Sequence, residues 1–395
     1  MKDAVHHVIR ELSIRGARQQ PRWSDPLQLR RVGEELAARP ALVRAKDIAA
    51  LRHLLAQVAL GKALVVQGGD CAEDPQECGP GPVARKAAVL DLLAGALGLR
   101  GGRPVLRAGR IAGQFAKPRT KDTETVDGVE LPAFRGHMVN GPEADAESRR
   151  ADPLRILTGY MAASDIVGHL GWRERAAGRE AIGPAVWTSH EALLLDYEVP
   201  MLRSDDQNGL FLSSTHWPWI GERTRQVDGA HVALLCGVAN PVACKVGPTM
   251  EAGELLALCE RLDPWREPGR LTLIARMGAD RVAARLPPLV EAVRRAGHPA
   301  IWLTDPMHGN TITAPGGHKT RIVATVALEV SRFQRAVRAA GATPGGLHLE
   351  TTPDAVTECA DTAADLPRVG QCRTTFCDPR LTPRQALSVI SAWTP

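Results

Sequence analysis

The chain has 395 residues, 44% of them hydrophobic and 24% charged, enough for one large barrel or two ordinary domains with a sizeable core. Its net charge of +5 is spread along the chain without a long basic run, and aromatics make up 4%. That balance argues against nucleic acid as a main partner and suits small anionic substrates. No run approaches the roughly 18 apolar residues of a membrane span, and Met1–Trp23 lacks an apolar leader core, so the reading is cytoplasmic with no membrane partner. The eight cysteines (71, 78, 236, 244, 259, 359, 372 and 377) form no CxxC pair and read as reduced thiols rather than a structural zinc site.

In chain order, residues 1–60 read as a helical extension, with Pro26–Ala38 and Ala45–Leu60 as helices separated by Pro40. Strand-like apolar runs follow at Ala63–Val66, Pro104–Leu106, Ala185–Trp187, Leu210–Leu212, Val242–Val246, Leu271–Ala275, Ala300–Leu303 and Leu347–Leu349. Between them, Val83–Leu97, Ala252–Leu262, Leu286–Ala296 and Arg321–Ala340 carry apolar residues at helical spacing. Residues 120–153 read as a long loop and Leu154–Ala177 as a helix. Strands alternating with helices predict an α/β fold, a (β/α)8 TIM barrel over 61–395 behind the N-terminal extension. A doubly wound sheet is the rival, but Gln67-Gly68-Gly69-Asp70 matches neither dinucleotide nor Walker glycine patterns.

The runs end in chemically capable residues: Asp70 and Cys71, Arg110, Ser189 and His190, Ser213 and Ser214, Lys245, Arg276, Asp305 and His308, and Glu350. Barrel active sites collect at the C-terminal ends of strands. Ser189, His190 and Glu191 do not make a hydrolase triad, being adjacent and without a nucleophile elbow.

Several stretches together carry a resemblance. They are Gln67–Glu73, Arg110–Arg119, Trp219–Gln226, Asn240–Pro248, Asp305–Thr311 with Gly317–Arg321, Thr357–Cys359, and Cys377–Leu381. In this order, from about Trp23 to the C-terminus, the chain resembles the class II (plant and actinobacterial type) 3-deoxy-D-arabino-heptulosonate-7-phosphate (DAHP) synthases. The resemblance implies a barrel transferase that condenses phosphoenolpyruvate with erythrose 4-phosphate, an aldose phosphate, and requires a divalent metal, commonly Mn2+. It also implies a homodimer or higher homo-oligomer, and a chorismate mutase as a further partner.

By the same resemblance Cys71, His308, Glu350 and Asp378 are the metal ligands. Their mixed S, N and O chemistry suits manganese, iron, cobalt or zinc, with magnesium a further choice. Arg110, Glu222, Arg223, Lys245 and Arg276 are implied to line the phosphoenolpyruvate pocket, with Lys245 catalytic and Glu222 orienting the arginines or holding the attacking water. Lys117, Arg119 and Thr120 are implied to serve the aldehyde, Lys117 as hydrogen-bond donor or acid and the other two at its phosphate. Read one by one, a lone Cys or His is more often structural and a lone Arg or Lys a solvated charge. Lys245 and Arg276 fit that poorly, because they end apolar runs where an unpaired charge is expensive. Asp305 reads as orienting His308. His318, Lys319 and Arg321 read as a basic surface cluster with a gating or supporting role beside the metal loop.

Two positions depart from the pattern. Arg135-Gly136-His137 places His137 where an acid is expected, and Thr120 stands where Ser is more usual. Both lie on the aldehyde side, which keeps an amino-sugar phosphate open as substrate. The chain is also short for the resemblance, which implies weak feedback inhibition and a specialised pathway. A non-catalytic barrel that binds phosphometabolites or a partner is the reading from another class; the intact ligand and arginine sets argue against it.

Overall fold

The computed structural model describes residues 8–12, 14–126, 128–179, 183, 185–207 and 209–395. Residues 1–7, the start of the expected extension and of the stretch read as lacking a leader core, lie outside the described residues. Contacts gather the chain into two units: Met1–Ala49 with Ala72–Ala84 and Ile111–Asn240, and Ala50–Cys71 with Arg85–Arg110 and Pro241–Pro395.

Strands in chain order are β1 (Leu64–Gly69), β2 (Val105–Arg110), β3 (Thr123–Val126), β4 (Val129–Pro132), β5 (Trp187–Glu191), β6 (Leu202–Asp205), β7 (Gly209–Leu212), β8 (Trp217–Ile220), β9 (Val242–Val246), β10 (Leu271–Ala275), β11 (Ile301–Thr304), β12 (Ile312–Thr313), β13 (Lys319–Thr320) and β14 (Pro344–Glu350). Eight of them close a barrel in the order β1-β14-β11-β10-β9-β8-β5-β2, which is chain order around the ring. Helices intervene at Pro80–Gly101, Leu154–His169, Leu195–Glu198, Ala230–Cys236, Ala252–Leu262, Val282–Arg295 and Val323–Ala339, and Pro383–Ile390 follows the last strand. This is the (β/α)8 architecture. Every residue of β9 and β10 is buried, as parallel strands covered on both faces require.

Local chemistry explains several boundaries. The helix Pro26–Ala38 starts where Asp25 accepts from the backbone N–H of Leu27 and Gln28, with Pro26 in its first turn. It stops at Arg39, the residue before Pro40. Thr382 and Gln385 form a capping box that opens Pro383–Ile390.

One expected barrel strand is wrong. Leu210–Leu212 lies in β7, which pairs antiparallel with β6 as a hairpin, and the fourth barrel strand is β8 instead. Pro218 speaks against a central strand because it lacks a ladder donor. That loss, about 1 kcal/mol, is outweighed by complete burial of Trp217 and Trp219, worth several kcal/mol at roughly 25 cal/mol per Å2. Ser213 and Ser214 therefore follow a hairpin, and the residues beyond the true strand end are Gly221, Glu222 and Arg223. The loop expected over 120–153 also holds a small antiparallel sheet, β3 with β4.

β1 lies between β14 and β2, with Gly69 opposite both Glu350 and Arg110. Backbones approach so closely here that side chains are excluded. Gly346 has φ +145°, and a Cβ on it would overlap the carbonyl oxygen of Val65. Gly346→Ala is expected to cost about 3 kcal/mol or more and to lower the thermal midpoint by roughly 3–4 °C or more. An unchanged midpoint in a melting experiment would show that this pairing can give way.

Candidate functional site

In the second unit, β1 delivers Asp70 and Cys71 just past its end, β14 ends on Glu350, and the segment after Ala363–Arg368 brings Asp378. One ligand atom from each of Cys71, Glu350 and Asp378 lies within 4.8 Å of the others. Cys71 Sγ is 3.5 Å from Asp378 Oδ2 and accepts the Asp378 backbone N–H at 3.3 Å. His308 Nε2 lies 3.4 Å from Glu350 Oε1. An ion held at about 2.0–2.3 Å requires donor atoms roughly 3–4.6 Å apart, so Cys71, Glu350 and Asp378 are close enough to share a divalent cation, while His308 lies against Glu350 but outside that three-residue group.

The histidine tautomer follows from its other nitrogen. His308 Nδ1 is 2.8 Å from Asp305 Oδ2, an acceptor, so Nδ1 carries the proton and the Nε2 lone pair faces Glu350. Burial lowers the His308 pKa, against the pull of Asp305 and Glu350. Two electron-rich atoms, Nε2 and Oε1, thus face each other, an arrangement that a cation relieves. The donor set fits a metal.

Asp305 also accepts from Lys245 Nζ at 2.6 Å, through the same oxygen. Burial opposes its charge, but His308 and Lys245 hold the carboxyl well below the usual range. Burial lowers Lys245 to about 8, opposed by Asp305 and reinforced by Arg110 and Arg276. Arg110, the last residue of β2, donates to Asp70 O at 2.9 Å and Glu350 Oε1 at 3.1 Å. Its Nη1 also donates to His348 Nε2 at 2.6 Å, which leaves His348 Nδ1 to donate to Gln67 Oε1. Arg276 sits one residue beyond β10, half-buried, its backbone N–H donating to Val246 O at 2.9 Å.

Around these lies a layer that the sequence did not disclose. Arg321, read as part of a surface cluster, is fully buried and pairs with Glu350 Oε2 at 2.8 Å. That corrects the surface reading for Arg321 alone, since Lys319 is exposed and meets Asp378 at 3.3 Å. The apolar neighbours Ile322 and Val323 gave the only warning of its burial. Asp70 is held by Lys86 at 2.7 Å and Arg380 at 2.6 Å, and Arg380 also grips Glu358. His348 was missed too. Two residues before Glu350 in a strand, it shares that residue's face, a signal that period-two reading could have caught.

In the first unit, Glu73 curls the start of the loop after β2 around its carboxylate. It accepts the backbone N–H groups of Ala112, Gly113 and Gln114 at 3.0, 2.9 and 2.7 Å. Ala112 takes φ +64° to make this turn. The loop continues through Lys117, which is buried and whose backbone N–H donates to Arg135 O at 2.8 Å. Arg119 pairs with Glu124, which Arg149 also holds. Arg223 Nη2 donates to Thr120 Oγ1 at 2.8 Å, and Glu222 Oε1 accepts from Arg225 at 2.8 Å. His137 Nδ1 donates to Glu73 O at 3.1 Å, and its ring stands edge-on to Phe134 at 5.2 Å. Burial lowers its pKa. Ser189 and His190 lie within β5, and His190 Nε2 faces Glu198 at 2.8 Å.

Among the described residues, no helix is long and apolar enough to cross a membrane. The model of the class-II DAHP synthetase family matches residues 9–178 and 171–392. A probable phospho-2-dehydro-3-deoxyheptonate aldolase of Pseudomonas fluorescens is 59% identical over 393 residues, covering 100% of this chain and 97% of the relative. The phospho-2-dehydro-3-deoxyheptonate aldolase of Streptomyces coelicolor is 40% identical over 420 aligned positions, covering 94% of this chain and 93% of the relative. AroG of Mycolicibacterium smegmatis, of the same description, is 38% identical over 442 positions, covering 98% and 94%. Both alignments exceed this chain's 395 residues, so those relatives carry segments that it lacks. A solved phospho-2-dehydro-3-deoxyheptonate aldolase from Francisella tularensis superposes with a TM-score of 0.56 at 14% identity, covering 91% of this chain and 96% of that one, a likeness of fold alone. Matched by that family model along nearly its whole length and by full-length relatives, the chain belongs to the class-II DAHP synthetase family.

Proposed function

We propose that the chain condenses phosphoenolpyruvate, erythrose 4-phosphate and water into DAHP and inorganic phosphate. Membership of the family supports the reaction, and the gathering of Cys71, Glu350 and Asp378 with His308 beside Glu350 carries the metal dependence. We take manganese as the ion. When bound, it supplies a Lewis acid that polarises the aldehyde oxygen, a contribution of several kcal/mol.

The remaining chemistry is assigned to side chains. Arg110, Arg276, Lys245 and Arg223 meet the carboxylate and phosphate of phosphoenolpyruvate, which calls for fixed forks and a compact ammonium. Arg119 and Thr120 take the phosphate of the aldehyde. C3 of the enol phosphate attacks the aldehyde carbon, and Lys117 donates the proton that turns the new alkoxide into a hydroxyl. Glu222 positions a water and takes its proton as the oxygen adds to C2. The hydroxyl proton at C2 then passes to the departing phosphate oxygen as the C2–O bond to phosphate breaks, which gives the ketone and inorganic phosphate. Because His137 turns its Nδ1 to a backbone carbonyl and its ring to Phe134, we keep erythrose 4-phosphate ahead of an amino-sugar phosphate.

A cytoplasmic setting, a homodimer or larger assembly, a chorismate mutase partner, and the division into an extension (1–60) and a barrel (61–395) belong to the same proposal.

Purified protein given Mn2+ and both substrates is expected to release phosphate, to stop with a chelator and to resume with added metal. Release only with the amino analogue would replace the substrate, and release with neither would leave a binding protein. Cys71→Ser should weaken Mn2+ binding at least tenfold, a size of order ~10–100-fold for disturbed metal shells, while the metal-free protein melts as the parent does. Parent-like metal dependence would remove Cys71 from the ligands. A pH series follows from Lys245. Its ammonium is the form that binds anions, and burial brings its pKa down to about 8. Raising the pH through that value removes the charge, so kcat/KM for phosphoenolpyruvate should fall above about pH 8, approaching tenfold per unit. Lys245→Arg should flatten that limb; an unchanged limb would exclude Lys245 as its source.

A further inference from the structure

Glu329 lies on the helix Val323–Ala339, in the second unit, and it is completely buried. Its Oε1 accepts two backbone N–H groups, from Met277 at 3.1 Å and Gly278 at 2.9 Å. Its Oε2 accepts Asn310 Nδ2 at 2.6 Å. These donors belong to two different loops. Met277 and Gly278 directly follow Arg276 after β10, and Asn310 is two residues past His308 after β11.

Asn310 is fixed in turn. Its Oδ1 accepts from Ala279 N at 2.9 Å, and its Nδ2 also donates to Pro306 O at 2.8 Å, so its amide cannot reverse without losing bonds on both sides. The loops meet backbone to backbone beside it. Gly278 has φ +87°, and a Cβ there would stand 2.9 Å from Gly309 O. The partners that hold the carboxylate are neutral, two backbone amides and one side-chain amide. Burial pushes its pKa up to about 7 against the pull of the N–H donors. An apolar residue would suit the core of a helix better on stability alone.

We infer that Glu329 is a positioning residue that clamps the Arg276 loop to the His308 loop, and so sets the spacing between the phosphoenolpyruvate-directed guanidinium and the metal-directed imidazole. This rests on the site assignment made under the proposed function. The clamp has a definite consequence: metal and phosphoenolpyruvate must feel its loss together. A residue that only stabilised the barrel would lower the melting temperature and the yield of active protein without shifting either binding constant.

The test is Glu329→Gln, which keeps the shape and sets an amide nitrogen against Asn310 Nδ2 or against the two backbone donors. Mn2+ affinity is read by calorimetry on metal-free protein, and KM for each substrate by phosphate release. Expected are a loss of Mn2+ affinity of roughly tenfold, the size seen for disturbed supporting partners of metal ligands, a parallel rise in KM for phosphoenolpyruvate, and an unchanged KM for erythrose 4-phosphate. Should Glu329→Gln fail to fold, Asn310→Ala cuts the arm to the His308 loop, leaves the two backbone bonds in place, and should move the same two constants in the same direction. Mn2+ affinity and KM for phosphoenolpyruvate both within twofold of the parent, or a shift in one alone, would overturn the clamp. A parent enzyme that releases no phosphate would instead sink the assigned reaction, and the Mn2+ titrations of parent and variants would still decide whether Glu329 holds the His308 loop.

Discussion

Everything assigned to the second unit turns on one carboxylate with no access to water. Glu350 ends β14 fully buried, where an isolated charge would be prohibitively costly. Arg110 reaches one of its oxygens and Arg321 the other, at 3.1 and 2.8 Å. That leaves the first oxygen also turned toward His308 Nε2 at 3.4 Å. The pairing fixes three chain segments at once: the end of β2, the end of β14, and the stretch two residues ahead of the helix that carries Glu329. It is possible only because Gly69, between Arg110 and Glu350 in the barrel register, has no side chain; a Cβ there would stand 2.6 Å from Arg110 O.

Asp305 and Asp70 repeat the device on either side. Each is buried, each is shared by two partners of positive or protonated character, and each follows a barrel strand directly. Asp305 divides one oxygen between Lys245 and His308, so the charge state of the Lys245 ammonium and the tautomer of the His308 imidazole depend on the same atom. Asp70 ties Lys86 and Arg380 to the residue next to Cys71. In both cases a fixed anion holds a cation or a proton where chemistry requires it, without waiting for substrate to order it.

The sequence showed the barrel more readily than the polar layer beneath its strand ends, for a physical reason. Strand runs such as Val242–Val246 and Leu271–Ala275 are legible because burial on both faces demands unbroken apolar residues, and their ends stand out as the first charges. Trp217–Ile220 was passed over because its proline breaks the local rule, while its two indoles act through tertiary burial that no window detects. Arg321 read as surface because a buried arginine resembles an exposed one until its partner, Glu350, is known. Glu329 was invisible for the same reason: it sits at a helical position where a solvated glutamate is common, and its donors are backbone groups some fifty residues earlier in the chain.

Buried ion pairs of this kind contribute little to stability once desolvation is counted, and apolar replacements of equal volume are often as stable or more so. A barrel with Glu350, Arg110, Arg321, Asp305 and Glu329 all exchanged for fitted hydrophobic residues would keep its strands, its order and its core. It would lose the directions in which the loops point. The polar layer beneath the strand ends is therefore best understood as a device for placement: it uses stability supplied by the aliphatic strands and tryptophans to hold a thiol, an imidazole and two carboxylates at separations that solvated, mobile side chains would not keep.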